Sequence, residues 1–316
     1  MKRTVRFAIS SCLLGQKVRW DGGHRLDRFI LQTLGRHVTF VPVCPEVEYG
    51  LSVPREPLHL IGEPDRPRLL TVSTAVDHTG PMTSWARKRV EQLAGQDLWG
   101  YIFKSNSPSC GPAGVRVAKE RGVTVKKGAG IFARVFMEQC PLVPVEDDRR
   151  LHDPGRRESF IESVFVLGRW REVLDGNRSM HGLETFHTRQ RLVILSHSPS
   201  HCRMMEDLLA RGKDLPPKDL FESYQSLLLE ALRLKATPAK NSRVLRILMK
   251  RFGKTLSEAE SQELAEAVQQ YRRAEIPLIV PLTLINHHAR RLGERHLREQ
   301  AYLHPHPLEL QLRYHV

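Results

Sequence analysis

Short apolar segments alternate with amphipathic ones through the first half of the chain. Residues 5–9, 38–43 and 98–103 are apolar enough to predict buried strands. Between them, residues 24–34 and 81–94 carry apolar side chains at helical spacing, which predicts two helices. Strands that alternate with helices need crossover connections. The pattern therefore predicts an α/β N-terminal domain with a mostly parallel, Rossmann-like sheet.

Three smaller elements complete this first region. Residues 68–72 are predicted as a minor strand, 131–138 as a helix and 142–145 as a last short strand. The segment with prolines at positions 54, 57, 64 and 67 is predicted as a longer loop, because proline cannot donate to a strand ladder.

The second half of the chain has a helical pattern. Apolar side chains between Leu220 and Leu232 recur at a 3.6-residue period. Ser257 with Glu260 forms a capping box that opens another helix. We therefore predict an all-α C-terminal domain. The predicted bounds are residues 1–166 for the first domain, 167–184 for a linker and 185–316 for the helical domain.

The charge of the chain changes the picture of its partners. The formal net charge is +14, with 23 Lys and Arg against 15 Asp and Glu in residues 1–150 and 21 against 14 in residues 185–316. A basic excess spread over both halves favours a nucleic-acid partner. The alternative is a generally basic proteome, in which such a charge means little.

No stretch approaches the ~18 apolar residues of a membrane span. The first residues resemble a short lipoprotein signal, but Arg6 interrupts their apolar run. We expect a cytoplasmic protein with no membrane partner, present as a monomer or a weak dimer.

One predicted helix carries a basic stripe. Lys240, Arg243, Arg246 and Lys250 recur at three- and four-residue steps, a spacing suited to tracking phosphates. A solvated outer face is the alternative. No acidic residue interrupts residues 240–254, which favours phosphate and makes these four residues candidate nucleic-acid contacts.

The chain has five cysteines, and an odd, widely spaced set argues against a disulfide framework. Cys12, Cys44 and Cys110 each follow a predicted strand, whereas Cys140 precedes one and Cys202 lies in the helical region. In open parallel sheets, ligands bind outside the carboxyl ends of the strands. A metal or cluster site of three thiolates is therefore one interpretation, and unrelated buried cysteines are the other.

The segment Lys104-Ser105-Asn106-Ser107-Pro108-Ser109-Cys110-Gly111 is the strongest candidate for chemistry, because it is a rigid polar loop after a buried strand. An ordinary strand-exit turn with a half-buried thiol is the competing interpretation.

Two further residue types could support chemistry there. Glu46, two residues after Cys44, could act as an acid or base, or could pair with Arg19 or Arg55. Trp20 offers either an aromatic face for stacking or a lid over the core.

His197, His201 and Cys202 have the one-turn spacing of a metal motif. Pro199 lies between the two histidines and spoils the helical geometry, so we predict no metal ion on these three residues.

These motifs resemble a known family. SCLLG at 11–15, VRWDG at 18–22, CPEV at 44–47 and KSNSPSCG at 104–111 are similar to the thiouracil desulfidase family, over residues 4–165. Residues 185–316 resemble the YbgA-type domain, through FH at 186–187, Tyr224, AT at 236–237, PLIVP at 277–281 and YLHPHP at 302–307. The two-domain arrangement is similar to tRNA 4-thiouridine desulfidases.

The resemblance implies a 4Fe–4S cluster held by Cys12, Cys44 and Cys110, with one iron left open to bind the thiocarbonyl sulfur of the substrate. Glu46 matches the acid/base carboxylate of the family and Ser107 its active-site serine. The implied reaction converts 4-thiouridine in tRNA to uridine and sulfide, with the helical domain holding the tRNA. Action on free thiouracil-type bases, and a non-enzymatic iron–sulfur sensor that binds nucleic acid, are the alternatives.

The sequence departs from the family pattern at two places. Trp20 stands where the family usually has tyrosine, and Lys240 and Arg243 stand where histidine and asparagine are expected.

Overall fold

The computed structural model describes residues 5–119, 123–176 and 178–313, apart from the side chains at positions 254, 295, 298, 308 and 310. The chain forms two compact units, Met1–Phe160 and Ile161–Val316. The first combines strands and helices, and the described part of the second is helical. The predicted fold class is therefore confirmed, whereas the predicted domain bounds stay a prediction.

The strands all lie in the first unit. They are β1 (Arg6–Ser10), β2 (Thr39–Val43), β3 (Leu58–Glu63), β4 (Arg66–Thr71), β5 (Leu98–Phe103), β6 (Val115–Ala118), β7 (Thr124–Gly128) and β8 (Val145–Asp147). The helices of this unit are α1 (Arg28–Gln32), α2 (Pro45–Tyr49), α3 (Thr79–Ala94), α4 (Ile131–Gln139) and the first residues of α5 (Pro154–Asp175).

The predicted parallel sheet has the strand order β2-β1-β5-β8. Every neighbouring pair is parallel, and Ser10 lies opposite Val43 at the end of the first pair. Because parallel strands end at the same edge, the loops after β1, β2 and β5 meet there. Strand β8 begins at Val145, so it lies later than the predicted 142–145 segment.

A second sheet, with the order β4-β3-β6-β7, was largely missed by the sequence analysis, which predicted only its β4 strand. Strands β3 and β4 pair as a hairpin around Pro64 and Asp65, within the segment predicted as a loop. The prolines are tolerated because Pro64 lies in the connection and Pro67 lies in β4, which is an edge strand of the sheet. Strand β7 is polar and largely exposed, so periodicity could not reveal it.

Aromatic rings fill the core beneath the parallel sheet. Tyr101 and Phe103 of β5 stack with ring centroids 3.7 Å apart, and Phe136 of α4 meets Tyr101 edge-on at 4.8 Å. All three side chains are fully buried. Rigid packing of this kind fixes the position of α4 relative to the end of β5.

The second unit consists of helices in its described residues. They are the rest of α5, then α6 (Met180–His197), α7 (Pro199–Ala210), α8 (Pro217–Arg233), α9 (Pro238–Phe252), α10 (Glu258–Arg272), α11 (Ile279–Arg291), α12 (Arg295–Arg298) and α13 (Pro307–Arg313). The predicted capping box at Ser257 and Glu260 is confirmed, with both of its hydrogen bonds formed. In the described part of the chain, no helix combines the length and apolarity needed to cross a membrane.

A buried charge network holds helices of the second unit together. Glu162 of α5 accepts a hydrogen bond from Arg313 of α13 at 2.6 Å, and lies 3.0 Å from Nε2 of His197. Burial works against ionisation of Glu162, but the arginine and histidine outweigh it and hold the pKa of this carboxyl below its usual value. The network therefore pairs buried charges instead of leaving any of them uncompensated.

The start of α4 positions the cysteine loop after β5. Phe132 N donates to the carbonyl oxygen of Ser109 at 3.1 Å, and Gly130 N donates to that of Gly111 at 2.8 Å. A Cβ atom at Gly130 would lie 2.5 Å from the Ser109 carbonyl group and 2.8 Å from Cys110 N. Only glycine lets the loop approach the helix this closely.

Gly130→Ala is therefore expected to displace the loop and to lower the free energy of unfolding by about 1–3 kcal/mol, as overpacking usually does. Urea unfolding measures the change. Gly80→Ala in α3 is the matched control, because a Cβ atom there meets nothing within 4 Å. Equal stability of the Gly130→Ala protein and the control would contradict the close packing.

Candidate active site

The carboxyl ends of three parallel strands bring the predicted cysteines to one cavity. Cys12 lies in the 3-10 turn that follows β1, Cys44 precedes α2 directly after β2, and Cys110 lies in the loop after β5. All three line a cavity of about 410 Å³, together with Glu46 and Ser107. The structure thus places together the five residues predicted for chemistry in the first unit, while their roles stay predictions.

The three thiols are free and largely buried. Burial, with a smaller contribution from Cys44, raises the pKa of Cys12 to about 11. Burial also raises the pKa of Cys44, and burial followed by the Cys44 and Glu46 charges raises the pKa of Cys110. The thiols therefore stay protonated near neutral pH unless a bound metal centre displaces their protons.

The arrangement of the thiols argues against a single metal ion. A single ion needs ligand atoms of His, Cys, Asp or Glu that converge on one point. Of the residues with described side chains, only His187, Cys202 and Glu206 offer three of these atoms within 4.8 Å of one another. The sulfur atoms of the three cavity cysteines are therefore not all within 4.8 Å of one another. A polynuclear cluster fits better, because its thiolates bind different iron atoms and need not converge on one point.

Glu46 is held in place by two side chains. Arg55 donates through Nε at 2.8 Å and through a second guanidinium nitrogen, both to Oε2 of Glu46. Ser109 Oγ donates to the other carboxylate oxygen, Oε1, at 2.6 Å. Arg55 also donates to the carbonyl oxygens of Val18 and Ser52, at 2.9 and 3.1 Å, so the guanidinium is itself fixed.

Arg55 was named from the sequence only as a possible partner of Glu46. The structure forms that ion pair and also places Arg55 in the wall of the cavity. The pairing does not remove Glu46 from the site, since Glu46 lines the cavity as well. A charge-assisted pair of this kind fixes the orientation of the carboxylate.

Two serines of the loop connect Glu46 to Cys110. Ser109 Oγ lies 3.6 Å from the Cys110 sulfur and 3.1 Å from Ser107 Oγ, which accepts a hydrogen bond from Cys110 N. The resemblance to the desulfidase family assigns a role to Ser107 and none to Ser109. The structure gives Ser109 the direct contact with Glu46, a contact that spacing alone could not reveal.

Lys104 ties the loop to the rest of the sheet edge. Its Nζ donates to Asp148 at 2.8 Å and to Ser105 Oγ at 2.9 Å, and its backbone N donates to Ser10 Oγ at 2.9 Å. The positive charges of Lys104 and Arg19 oppose the rise in the pKa of Cys12. Two cations of the cavity wall thus lie close enough to Cys12 to favour its thiolate.

The predicted basic stripe lies on α9. Arg243, Arg246 and Lys250 are exposed, and no acidic residue of the described part of the chain pairs with them. Lys240 is placed differently, because its Nζ donates to the carbonyl oxygens of His197 and Lys235 at 2.7 and 2.9 Å. Lys240 therefore holds the end of α6, and the other three residues form the exposed stripe.

Each of the two units is similar to known proteins. Residues 7–148 match the family model described as 2-thiouracil desulfurase, and residues 191–307 match the one described as a protein of unknown function, DUF1722. The uncharacterized protein YbgA of Escherichia coli K12 is 26% identical over 160 residues, which are 50% of this chain and 94% of that protein. The uncharacterized protein YbbK of Bacillus subtilis 168 is 28% identical over 135 residues, 41% of this chain and 88% of that protein.

A solved structure of a 4Fe–4S-dependent thiouracil desulfidase, TudS, is 28% identical, with a TM-score of 0.40 over 48% of this chain and 95% of that one.

The fold and the cavity define an α/β domain with a thiol-lined site, followed by a helical domain. The first unit is similar to the 2-thiouracil desulfurase family over residues 7–148, and the second is similar to DUF1722 over residues 191–307.

Proposed function

We propose that this protein is a 4Fe–4S-dependent desulfidase that converts 4-thiouridine in tRNA to uridine and sulfide. The observation that carries the proposal is the convergence of three free thiols and an oriented carboxylate in one cavity of a desulfurase-family domain. The basic helical domain that follows supports the choice of tRNA over a free base.

The residues of the cavity fit the cluster. Cys12, Cys44 and Cys110 would hold it, since they are free and line the same cavity. Three protein ligands leave one iron without a protein ligand, and that iron would supply Lewis-acid chemistry to the thiocarbonyl sulfur. The cations Lys104, Arg19 and Arg55 of the cavity wall offset the negative charge of three thiolates.

Glu46 is the general base of the proposed hydrolysis. Water adds to the ring carbon that carries the sulfur, and Glu46 takes the proton of this water. The carbon–sulfur bond then breaks while the added hydroxyl loses its proton and becomes the carbonyl of uridine. The sulfur leaves as hydrogen sulfide, with one proton returned from Glu46 and one from the hydroxyl. No oxidation or reduction is needed, because the oxygen of one water replaces the sulfur and its two protons leave with the sulfide. Arg55 and Ser109 hold the carboxylate throughout, which fixes the direction of proton transfer.

Other side chains of the cavity position the base. Trp20 lines the cavity with 44% of its surface exposed, so its ring is available for stacking on a pyrimidine. Ser107 Oγ accepts from Cys110 N, and because Ser109 gives its proton to Glu46, Ser107 donates its own proton to Ser109 Oγ at 3.1 Å. A substrate oxygen bound in the cavity would compete for this proton. A volume of about 410 Å³ falls within the range of pockets that bind small molecules.

Anaerobic reconstitution with iron and sulfide is expected to give about four irons per chain. The loaded protein should then remove the near-ultraviolet absorbance of thiolated tRNA. Cys44→Ala should lose both the full iron content and the activity. Cys140→Ala, which changes a buried cysteine at the end of α4 outside the cavity lining, is the matched control. Activity in Cys44→Ala protein equal to that of the control would show that the mechanism is wrong.

The same assay separates the alternatives. Thiolated tRNA left unchanged by cluster-loaded protein would favour a nucleic-acid-binding sensor. Faster turnover of free 2-thiouracil than of thiolated tRNA would favour a free-base enzyme, in keeping with the name of the matched family.

Glu46→Gln is expected to slow desulfurisation by about 10²- to 10⁴-fold, because the amide cannot take a proton. The iron content should not change, since Glu46 is not a proposed ligand. Single-turnover rates and iron analysis on the same preparation measure both effects. Glu56→Gln is the control, because Glu56 is partly exposed, bonds to Thr74 and does not line the cavity. An unaltered rate in Glu46→Gln protein would exclude Glu46 as the base.

The exposed stripe of α9 is the proposed tRNA contact. Arg243→Ala and Arg246→Ala should each weaken tRNA binding and lower the slope of log affinity against log salt by about one. Titrations at several salt concentrations measure the slope. Lys213→Ala, at an exposed position between α7 and α8, is the control. Slopes identical to that of the control would move the tRNA surface elsewhere.

A further inference from the structure

The helical unit contains a second group of potential metal ligands, separate from the thiol-lined cavity. His187 lies on α6, and Cys202 and Glu206 lie one turn apart on α7. One ligand atom from each residue lies within 4.8 Å of the other two. The i and i+4 spacing puts the thiol and the carboxylate on one face of α7, toward the imidazole.

One ring nitrogen of His187 is buried without a hydrogen-bond partner among the described residues. His187 is 6% exposed, and the nitrogen concerned is Nε2. The other ring nitrogen, Nδ1, lies 2.9 Å from the hydroxyl oxygen of Tyr224, which is fully buried. Leaving a buried polar atom unsatisfied costs about 1–3 kcal/mol, so the empty position at Nε2 requires an explanation.

We propose that His187, Cys202 and Glu206 bind one thiophilic divalent cation of the zinc class. Imidazole, thiolate and carboxylate are the ligand types that Zn²⁺ takes, and three protein ligands leave a fourth position for water. Tyr224 would orient the imidazole in the way that outer partners orient metal-bound histidines.

The surroundings of the three residues are compatible with an ion. The sulfur of Cys202 is 3.7 Å from Glu206 Oε1 and 3.9 Å from the carbonyl oxygen of Arg191, so only weak contacts would be lost. Arg191 Nε donates to Glu206 Oε1 at 2.6 Å and leaves Oε2 available. Glu206 is 38% exposed at its side chain, which gives the ion a path from solvent.

The bound ion would join two helices. With one ligand from α6 and two from α7, it would stabilise the folded helical unit, because it binds the native arrangement and not the unfolded chain. This proposal rests only on residues of the second unit, so it does not depend on the proposed desulfidase activity.

The test uses the full-length chain with Cys44→Ser throughout, so that the thiol-lined cavity lacks a complete set of ligands. After treatment with a chelator, the protein is titrated with Zn²⁺ and with Co²⁺ under anaerobic conditions. We expect the protein to bind one equivalent of Zn²⁺ per chain more than the Cys202→Ser variant binds. We also expect a thiolate-to-Co²⁺ charge-transfer band and a rise in melting temperature with Zn²⁺. Cys202→Ser should abolish all three, and the matched control Cys140→Ser should keep them.

Circular dichroism checks that Cys202→Ser protein is folded. If it is not, Glu206→Gln decides instead, because this partly exposed side chain keeps its shape and loses its charge. We expect Glu206→Gln to weaken Zn²⁺ binding at least about tenfold. Zinc stoichiometry and affinity equal to those of the Cys140→Ser control would overturn the proposal.

Discussion

The parallel pairing of β1 with both β2 and β5 is the constraint on which the candidate active site depends. It ends three strands at one edge of the sheet. The segments that follow these strands carry Cys12 after β1, Cys44 after β2 and Cys110 after β5. A shift of one residue in either register would turn every side chain of a strand to the opposite face. The buried apolar side chains of β1 and β5 oppose such a shift, so the core that stabilises the fold also fixes the distances between the thiols.

The cavity concentrates groups that disfavour one another when they are ionised. Three buried thiols and a carboxylate lie within range of each other's charge, and burial raises the pKa of each thiol further. The chain offsets this with Arg55 on Glu46 and with Lys104 near Cys12. Such a site is stable with protonated thiols, and it becomes a thiolate site only when a positive centre replaces the protons. A site of this kind is suited to binding and not to simple packing.

Much of this arrangement could be predicted from the sequence, because apolar runs report buried strands directly. The cysteines after β1, β2 and β5 could be placed at one edge from topology alone. Contacts between distant loops could not be predicted, since spacing along the chain does not show which side chains meet. Ser109 is the clearest case, because its bond to Glu46 joins positions 63 residues apart. The second sheet was missed for another reason, since β7 is too polar for periodicity to mark it.

The histidines of the helical unit show how a helix boundary decides which ligands meet. His197 ends α6 and Pro199 begins α7, so the regular spacing of His197, His201 and Cys202 crosses a break between two helices. The partner that Cys202 meets is His187, two to three turns before the end of α6, because the two helices pack side by side. The two groups of residues therefore differ in their ligand types and in how closely these converge. Thiols held apart at a sheet edge suit a cluster with several irons, whereas a thiol, an imidazole and a carboxylate that converge between helices suit a single ion.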